Sequence, residues 1–116
     1  MKKDPIIFLE HIRESIEAIG SYMEGDDEQF FNDKKVQDAV IRRLEIIGEA
    51  VKNLPQEFIK KHKSIPWSEI ARMRDKLIHN YFGVDLDLTF DVIKKDLPKL
   101  KNNINKILSK EKLTKK

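Results

Sequence analysis

The sequence contains no cysteine, and its 116 residues include only four glycines and four prolines. The lack of cysteine excludes a disulfide framework, a thiolate metal site and a cysteine nucleophile. No apolar run approaches the ~18 residues that a membrane span requires, and the N-terminus has no apolar signal-peptide core. We therefore expect one small domain in a soluble, cytoplasmic protein that does not associate with membranes.

Positive charge is concentrated near the C-terminus. Charged residues make up 37% of the chain, yet the net charge is only +3. Residues 94–116 contain nine lysines against two carboxylates, a net charge of +7, whereas residues 1–93 carry −4. A segment of this charge attracts a polyanion such as RNA. A solvated lysine-rich tail is the alternative, and composition does not decide between them.

Helical periodicity covers most of the chain. Asp4-Pro5 is a favourable helix start, because Asp caps a helix and Pro suits its first turn. Apolar residues then recur three or four positions apart: Ile6, Leu9, Ile12, Ile16 and Ile19. Residues 26–33 are polar apart from Phe30-Phe31 and are predicted to form a loop.

The second helix is predicted over residues 33–54, and its apolar arc is about 220° wide at 100° per residue. Its main stripe consists of Val36, Val40, Leu44, Ile47, Val51 and Leu54. A surface helix needs an apolar stripe only about 100° wide. This helix therefore either lies at the centre of the bundle or presents one flank to a second protomer, and periodicity leaves both open.

Three further helices are predicted downstream. A short one covers residues 55–62 with Phe58 inward, and residues 65–67 open another that ends at Gly83. The last begins near Asp87, and Pro98 predicts a kink around residues 94–98. Its inward residues are Leu88, Val92, Leu100, Ile104 and Ile107.

Together these patterns predict the fold class and the domain organisation. The class is all-α, a compact up-down bundle of four to five helices with short connections. One domain is expected over residues 1–108, followed by a lysine-rich tail over residues 109–116. No β alternation or glycine-rich phosphate loop is present.

The side chains that can do chemistry are concentrated in residues 72–85. Asp75 and His79 are about 40° apart around a helix. The carboxylate can therefore accept a hydrogen bond from one imidazole nitrogen and leave the other for proton transfer. Arg74 lies about 140° from His79, so the two converge only if the helix loosens before Gly83 or a symmetry mate supplies one of them. Tyr81 shares a side with Arg74.

Each of these residues also has a purely structural interpretation. A histidine in the last turn of a helix interacts favourably with the helix dipole. An arginine such as Arg74, beside an apolar stripe, commonly extends its charged head into solvent. Tyr81 continues the apolar stripe of its helix and would ordinarily belong to the core.

The remaining candidates point away from metal chemistry. Asp75 and His79 offer two ligands, fewer than the three that a zinc site needs, so we expect no metal and no cofactor. His11 and His62 are expected to be exposed and are given no role. Trp67, next to a proline, is predicted to be a core anchor.

Arg74, His79 and Tyr81 together match an R-x4-H-x-Y signature, and the sequence resembles the HEPN-domain toxins of the HepT type. These toxins are the partners of MNT-type nucleotidyltransferase antitoxins. Flanking segments resemble the same family in order and spacing: residues 43–50, 53–55, 65–67, 81–85 and 96–98. The resemblance covers residues 4–108 and leaves only the lysine-rich tail outside it.

The resemblance implies a HEPN bundle that forms a homodimer, with two R-x4-H-x-Y segments facing a shared cleft. It implies the toxin of a type VII toxin–antitoxin system and a metal-independent endoribonuclease. His79 would act as general base or acid while a ribose 2′-OH attacks the adjacent phosphate. Arg74 would stabilise the developing negative charge, and Asp75 would occupy an accessory position.

Tyr81 has a separate role by the same resemblance. The antitoxin partner would transfer AMP from ATP onto the Tyr81 hydroxyl. The added nucleotide would bring bulk and negative charge beside Arg74 and His79, compete with RNA for the same cation and block the cleft.

Two other functions stay open at this stage. A non-catalytic helical dimer could bind a nucleotide or a nucleotidyltransferase partner, and the net charge of −4 on residues 1–93 makes a poor general RNA-binding surface. A purely structural dimer, in which His79 pairs with Asp75, is the third reading.

Overall fold

The computed structural model describes residues 4–77 and 83–114, and of Arg74 and residues 111–114 it describes the backbone alone. In the described part, α-helices and one π-helical segment follow each other along the chain. They are α1 (Pro5–Tyr22), α2 (Asp27–Asn32), α3 (Lys34–Lys52), α4 (Gln56–Lys61), α5 (Trp67–Ala71), α6 (Met73–Leu77), α7 (Leu86–Asp91), the π-helical segment (Val92–Asp96) and α8 (Leu97–Thr114). The all-α class is confirmed.

Aspartates start four of the helices. A carboxylate oxygen accepts a hydrogen bond from a backbone N–H of the first turn at Asp4, Asp26, Asp33 and Asp85, over 2.9–3.3 Å. Such a cap satisfies a donor that has no partner within the helix. The predicted start at Asp4-Pro5 is thus confirmed, with Pro5 in the first turn of α1.

The predicted loop over residues 26–33 is wrong, because α2 occupies most of it. Phe30 is 1% exposed, and its ring centroid lies 6.1 Å from that of Phe90 in α7. Burial of this side chain against a distant helix stabilises a short polar segment that has little helical periodicity of its own.

The helix predicted from residues 65–67 to Gly83 begins as expected, but it is interrupted at Arg72 between α5 and α6. The Arg72 N–H bonds back to Ser68 and Ile70, which tightens the end of α5. Met73 and Leu77 are buried on α6, as predicted. The last part of this predicted helix lies outside the described residues. Trp67 is buried, and its indole N–H donates to the His62 carbonyl over 3.0 Å.

The disturbance predicted around Pro98 takes the form of the π-helical segment, in which the Leu97 N–H bonds to the carbonyl of Val92, five residues earlier. Pro98 cannot donate the next bond, and it then falls in the first turn of α8, where proline is tolerated. The wider turn also shifts the helical phase. Leu88 is therefore 39% exposed, contrary to prediction, while Thr89 is buried in its place.

Helix α3 lies at the centre of the molecule and packs against α1, α2, α5 and α6. Its wide apolar arc is therefore explained by a central position in the bundle, the first of the two alternatives. Phe58 on α4 faces the core, as predicted. Among the helices described, none combines the length and the apolar character needed to cross a bilayer.

Candidate functional site

The predicted site residues fall on α6 and just beyond it. Arg74 and Asp75 lie in α6. His79 and Tyr81 lie outside the described residues, so their predicted convergence with Arg74 stays a prediction. The structure describes the chain on both sides of His79 and Tyr81, up to Leu77 and again from Gly83.

Asp75 is exposed and opens into a cleft of about 550 Å³. We call this the α3 cleft, because residues of α3 make up most of its lining. Phe8 and His11 of α1 form one side, and Ala71 and Asp75 form the other. From α3 come Arg42, Glu45, Ile46, Gly48, Glu49, Ala50 and Lys52, with Asn53 at its end.

Gly48 allows the α5–α6 pair to approach α3 closely. A Cβ at this position would lie 3.2 Å from the Ala71 carbonyl oxygen, closer than most side-chain contacts. The two backbones therefore meet here without an intervening side chain. Gly48 thereby permits the close approach of α5, which directly precedes the helix that carries Arg74 and Asp75.

The α3 cleft carries charges of both signs. Arg42 and Lys52 are basic, while Glu45, Glu49 and Asp75 are acidic. Arg42, which is exposed, forms an ion pair with the partly buried Glu45, with 3.6 Å between the charged atoms. A surface of this kind is electrostatically mixed, so it offers an anion no uniform attraction.

His11 is exposed, as predicted, and lines the same cleft as Asp75. Sequence reasoning gave it no role, because its position beside the α1 stripe reveals nothing about which other helix it faces. The three-dimensional packing of α1 and α6 on α3 brings the two residues to one opening. His62, also predicted to be exposed, is only partly so, and its ring centroid lies 4.6 Å from that of Phe58.

The other side of α6 faces a different cavity. Lys76 lines a space of about 340 Å³ that is bounded on its far side by α8, including Lys99. Helix α6 therefore separates two cavities. Asp75 lines the α3 cleft, and Lys76 lines the cavity beside α8.

The two ends of the segment that carries His79 and Tyr81 are held together. The Asp85 N–H donates to the Leu77 carbonyl over 2.7 Å. Gly83, just before this bond, has a φ of +85°, a conformation that glycine adopts at little cost. The Asp85 side chain then caps α7, and the Asp85 backbone carbonyl accepts a hydrogen bond from the buried Thr89 hydroxyl over 2.7 Å.

Within the described residues, no group of three or more histidines, aspartates and glutamates is placed to hold a metal ion. Asp75 is exposed at the edge of the α3 cleft.

Comparison with known proteins points to one family. Residues 12–107 match the family described as "Ribonuclease HepT-like". No solved structure gives a significant match to the chain.

Several curated proteins are similar over nearly all of this chain. The chain is 61% identical over 109 residues to the "Gamma-glutamylcyclotransferase and putative RNase" of Methanocaldococcus jannaschii, covering 93% of this chain and 49% of that protein. It is 49% identical over 111 residues to a "Putative RNase" of Caldanaerobacter subterraneus (95% and 99%). It is 52% identical over 108 residues to the "Probable ribonuclease HepT" of Thermococcus cleftensis (92% and 98%). The chain thus spans about half of the first relative and nearly all of the other two.

Proposed function

Because the chain belongs to the HepT-like ribonuclease family, we propose that it is a metal-independent endoribonuclease and the toxin of a type VII toxin–antitoxin pair. The observation that carries the proposal is the position of Asp75. This residue, the neighbour of Arg74 in the motif, opens into the α3 cleft, and the chain on both sides of His79 is tied by the bond between Asp85 and Leu77.

The proposed reaction is an internal transfer at phosphorus. His79 takes the proton of a ribose 2′-OH, the oxygen attacks the adjacent phosphorus, and the bond to the 5′-oxygen of the next nucleotide breaks. The leaving oxygen takes up a proton, so the products are a 2′,3′-cyclic phosphate and a 5′-hydroxyl. Arg74 stabilises the negative charge that develops on the phosphate. Asp75 holds the imidazole in the correct tautomer.

We further propose that two copies form the active unit, with their motif segments facing a shared cleft. The mixed charges of the α3 cleft support this, because acidic and basic groups on one surface can pair with their counterparts across a two-fold axis. The proposed dimer is also supported by exposed apolar surface close to His11, which lines the α3 cleft. Ile7, one turn before His11 on α1, is 46% exposed.

Regulation is proposed to act at Tyr81. An MNT-type antitoxin transfers AMP from ATP to the tyrosine hydroxyl and releases pyrophosphate. The attached phosphate then competes with RNA for Arg74. The motif position of Tyr81, two residues after His79, supports this assignment.

The catalytic proposal is tested with His79→Ala, using gel analysis of RNA fragments and detection of their 2′,3′-cyclic ends. General acid–base groups contribute about 10²–10⁴-fold to rate, so we expect a loss of that size with an unchanged circular dichroism spectrum. His62→Gln is the matched control and should keep the wild-type rate. Equal cleavage by the His79 variant would remove this residue from the mechanism.

The regulatory proposal has a built-in control, since the chain has only two tyrosines. After co-expression with an MNT-type nucleotidyltransferase, intact mass should rise by whole AMP units in wild type and in Tyr22→Phe. The increase should be absent in Tyr81→Phe. A mass increase that survives in Tyr81→Phe would place the modification elsewhere.

A second candidate is a non-catalytic helical dimer that binds a nucleotide or a nucleotidyltransferase partner. The net charge of −4 on residues 1–93 favours it, because this surface has little general attraction for RNA. Purified protein that cleaves none of several RNAs but binds the nucleotidyltransferase tightly would support this candidate over the ribonuclease.

A further inference from the structure

In the proposed RNA cleavage, the leaving 5′-oxygen needs a proton. His79 removes the proton of the 2′-OH, but the 5′-oxygen departs as an alkoxide unless a second group protonates it while its bond to phosphorus breaks. An alkoxide is a poor leaving group, since an O–H as weakly acidic as that of water has a pKa of about 15.7. A positioned general acid contributes about 10²–10⁴-fold to the rate of such a step.

The imidazole of His11 lines the α3 cleft from α1, on the wall opposite Asp75. His11 is exposed, and within the described residues its ring nitrogens form no hydrogen bond or ion pair. Both nitrogens are therefore available to a molecule that enters the cleft.

The other titratable side chains of the cleft are unsuited to giving up a proton at neutral pH. Carboxylates ordinarily lose their protons well below neutrality, and lysine and arginine keep theirs well above it. Histidine exchanges its proton near neutral pH. Among the described residues that line the α3 cleft, His11 is the only histidine. The charged groups that share the cleft with it are Arg42, Glu45, Glu49, Lys52 and Asp75.

The shape of the α3 cleft suits a nucleotide that reaches from one wall to the other. Its volume of about 550 Å³ lies within the ~300–1,000 Å³ that is usual for sites that enclose small ligands. Phe8 precedes His11 by nearly one helical turn and lines the same wall. Its half-buried ring offers a surface on which a base can stack. A linkage held beside Asp75 can therefore extend its next nucleotide towards Phe8 and His11.

We propose that His11 is the general acid of the RNA cleavage and gives its proton to the 5′-oxygen of the leaving nucleotide. The electron pair of the breaking P–O bond stays with this oxygen, which takes the proton of the imidazolium. His79 then holds the proton from the 2′-OH, and exchange with water returns both histidines to their starting states. This inference rests on the ribonuclease function proposed above and adds the donor of the second proton.

The test compares two RNAs that each have one scissile linkage. One is natural, and the other has sulfur in place of the bridging 5′-oxygen. A thiolate leaves without a proton, because the pKa of a thiol is about 8.5, far below that of an alcohol. The test variant is His11→Gln. The control is His62→Gln, the same change at a histidine that does not line the α3 cleft.

The His11→Gln variant should cleave the natural RNA at least about 10²-fold more slowly and the sulfur-substituted RNA at the wild-type rate. On natural RNA it should also lose the alkaline limb of the pH–rate profile, where the wild-type rate falls as the general acid loses its proton. The control should match wild type on both RNAs. An unchanged rate on natural RNA, or equal losses on both RNAs, would overturn the proposal.

The general acid and the ribonuclease function fail separately in this experiment. His79→Ala should slow cleavage of both RNAs, because the 2′-OH loses its proton whichever atom leaves. If His79→Ala is slow and His11→Gln is not, the general acid is wrong and the ribonuclease function is retained. A wild-type chain that cleaves neither RNA overturns the ribonuclease function itself.

Discussion

The backbone N–H of Asp85 and the carbonyl of Leu77 form a hydrogen bond of 2.7 Å across the segment that contains His79 and Tyr81. Leu77 is 1% exposed and anchors the end of α6 in the core. Asp85 is fixed from the other side by its cap of α7. Leu77 and Asp85 are therefore adjacent in space, one buried in the core and the other fixed at the start of α7.

Replacing Asp85 by Ala should cost stability and activity together. Loss of the bond from the Leu88 N–H removes a helix cap, which costs about 1 kcal/mol in the free energy of unfolding. Because Asp85 also ties the chain to Leu77 at the end of α6, the helix that carries Arg74 and Asp75, RNA cleavage should fall about tenfold. Asp33→Ala removes an equivalent cap from α3 and should cost similar stability, measured by urea denaturation, with full activity. Equal activity in both variants would show that the Asp85 cap does not position the site.

Gly48→Leu should destabilise the fold. The new side chain would push against the Ala71 carbonyl and separate α5 from α3, and overpacking of this kind costs about 2 kcal/mol. Gly20→Leu is the matched control in α1, since a Cβ there would meet nothing within 4 Å. The control should gain up to about 1 kcal/mol, because glycine is a poor helix former. Thermal unfolding of both variants measures the difference, and a stabilised Gly48 variant would contradict the close approach.

Ser15→Ala should stabilise the protein by about 1 kcal/mol. The Ser15 side chain is fully buried, and its hydroxyl has no hydrogen-bond partner among the described residues. Removing it abolishes the cost of taking an unpaired polar group out of water. Ser21→Ala, at an exposed position of the same helix, separates this effect from helix propensity and should change stability by less than about 0.5 kcal/mol. A destabilised Ser15 variant would indicate a partner for the hydroxyl.

The sequence was sufficient for features that depend on local patterns. The cap at Asp4 and the buried face of α3 follow from residue types and helical spacing, and both are confirmed. Helix α2 was missed because its stability depends on Phe30 packing against Phe90, which is distant in the chain. The exposure of Leu88 was missed because one wider turn changed the phase of the residues before it.

Part of the candidate site could likewise be predicted from the sequence, and part could not. The spacing of Asp75 and His79 suggested an acid–base pair, which stays a prediction. The resemblance carried by the R-x4-H-x-Y signature suggested a ribonuclease, and the family match agrees with that coarser statement. The α3 cleft could not be inferred, because it needs the relative positions of α1, α3 and α6. His11 is the clearest case, since only the packing of separate helices brings it to the same opening as Asp75.

The approach at Gly48 has a consequence for how this scaffold can diverge. At Gly48 the main chain of α3 lies directly against the main chain of α5. Substitutions in the lining of the α3 cleft, at Arg42, Glu45 or Glu49, therefore leave the contact between α3 and α5 at Gly48 intact. The charges that line the α3 cleft can therefore change while the distance between α3 and α5 stays constant.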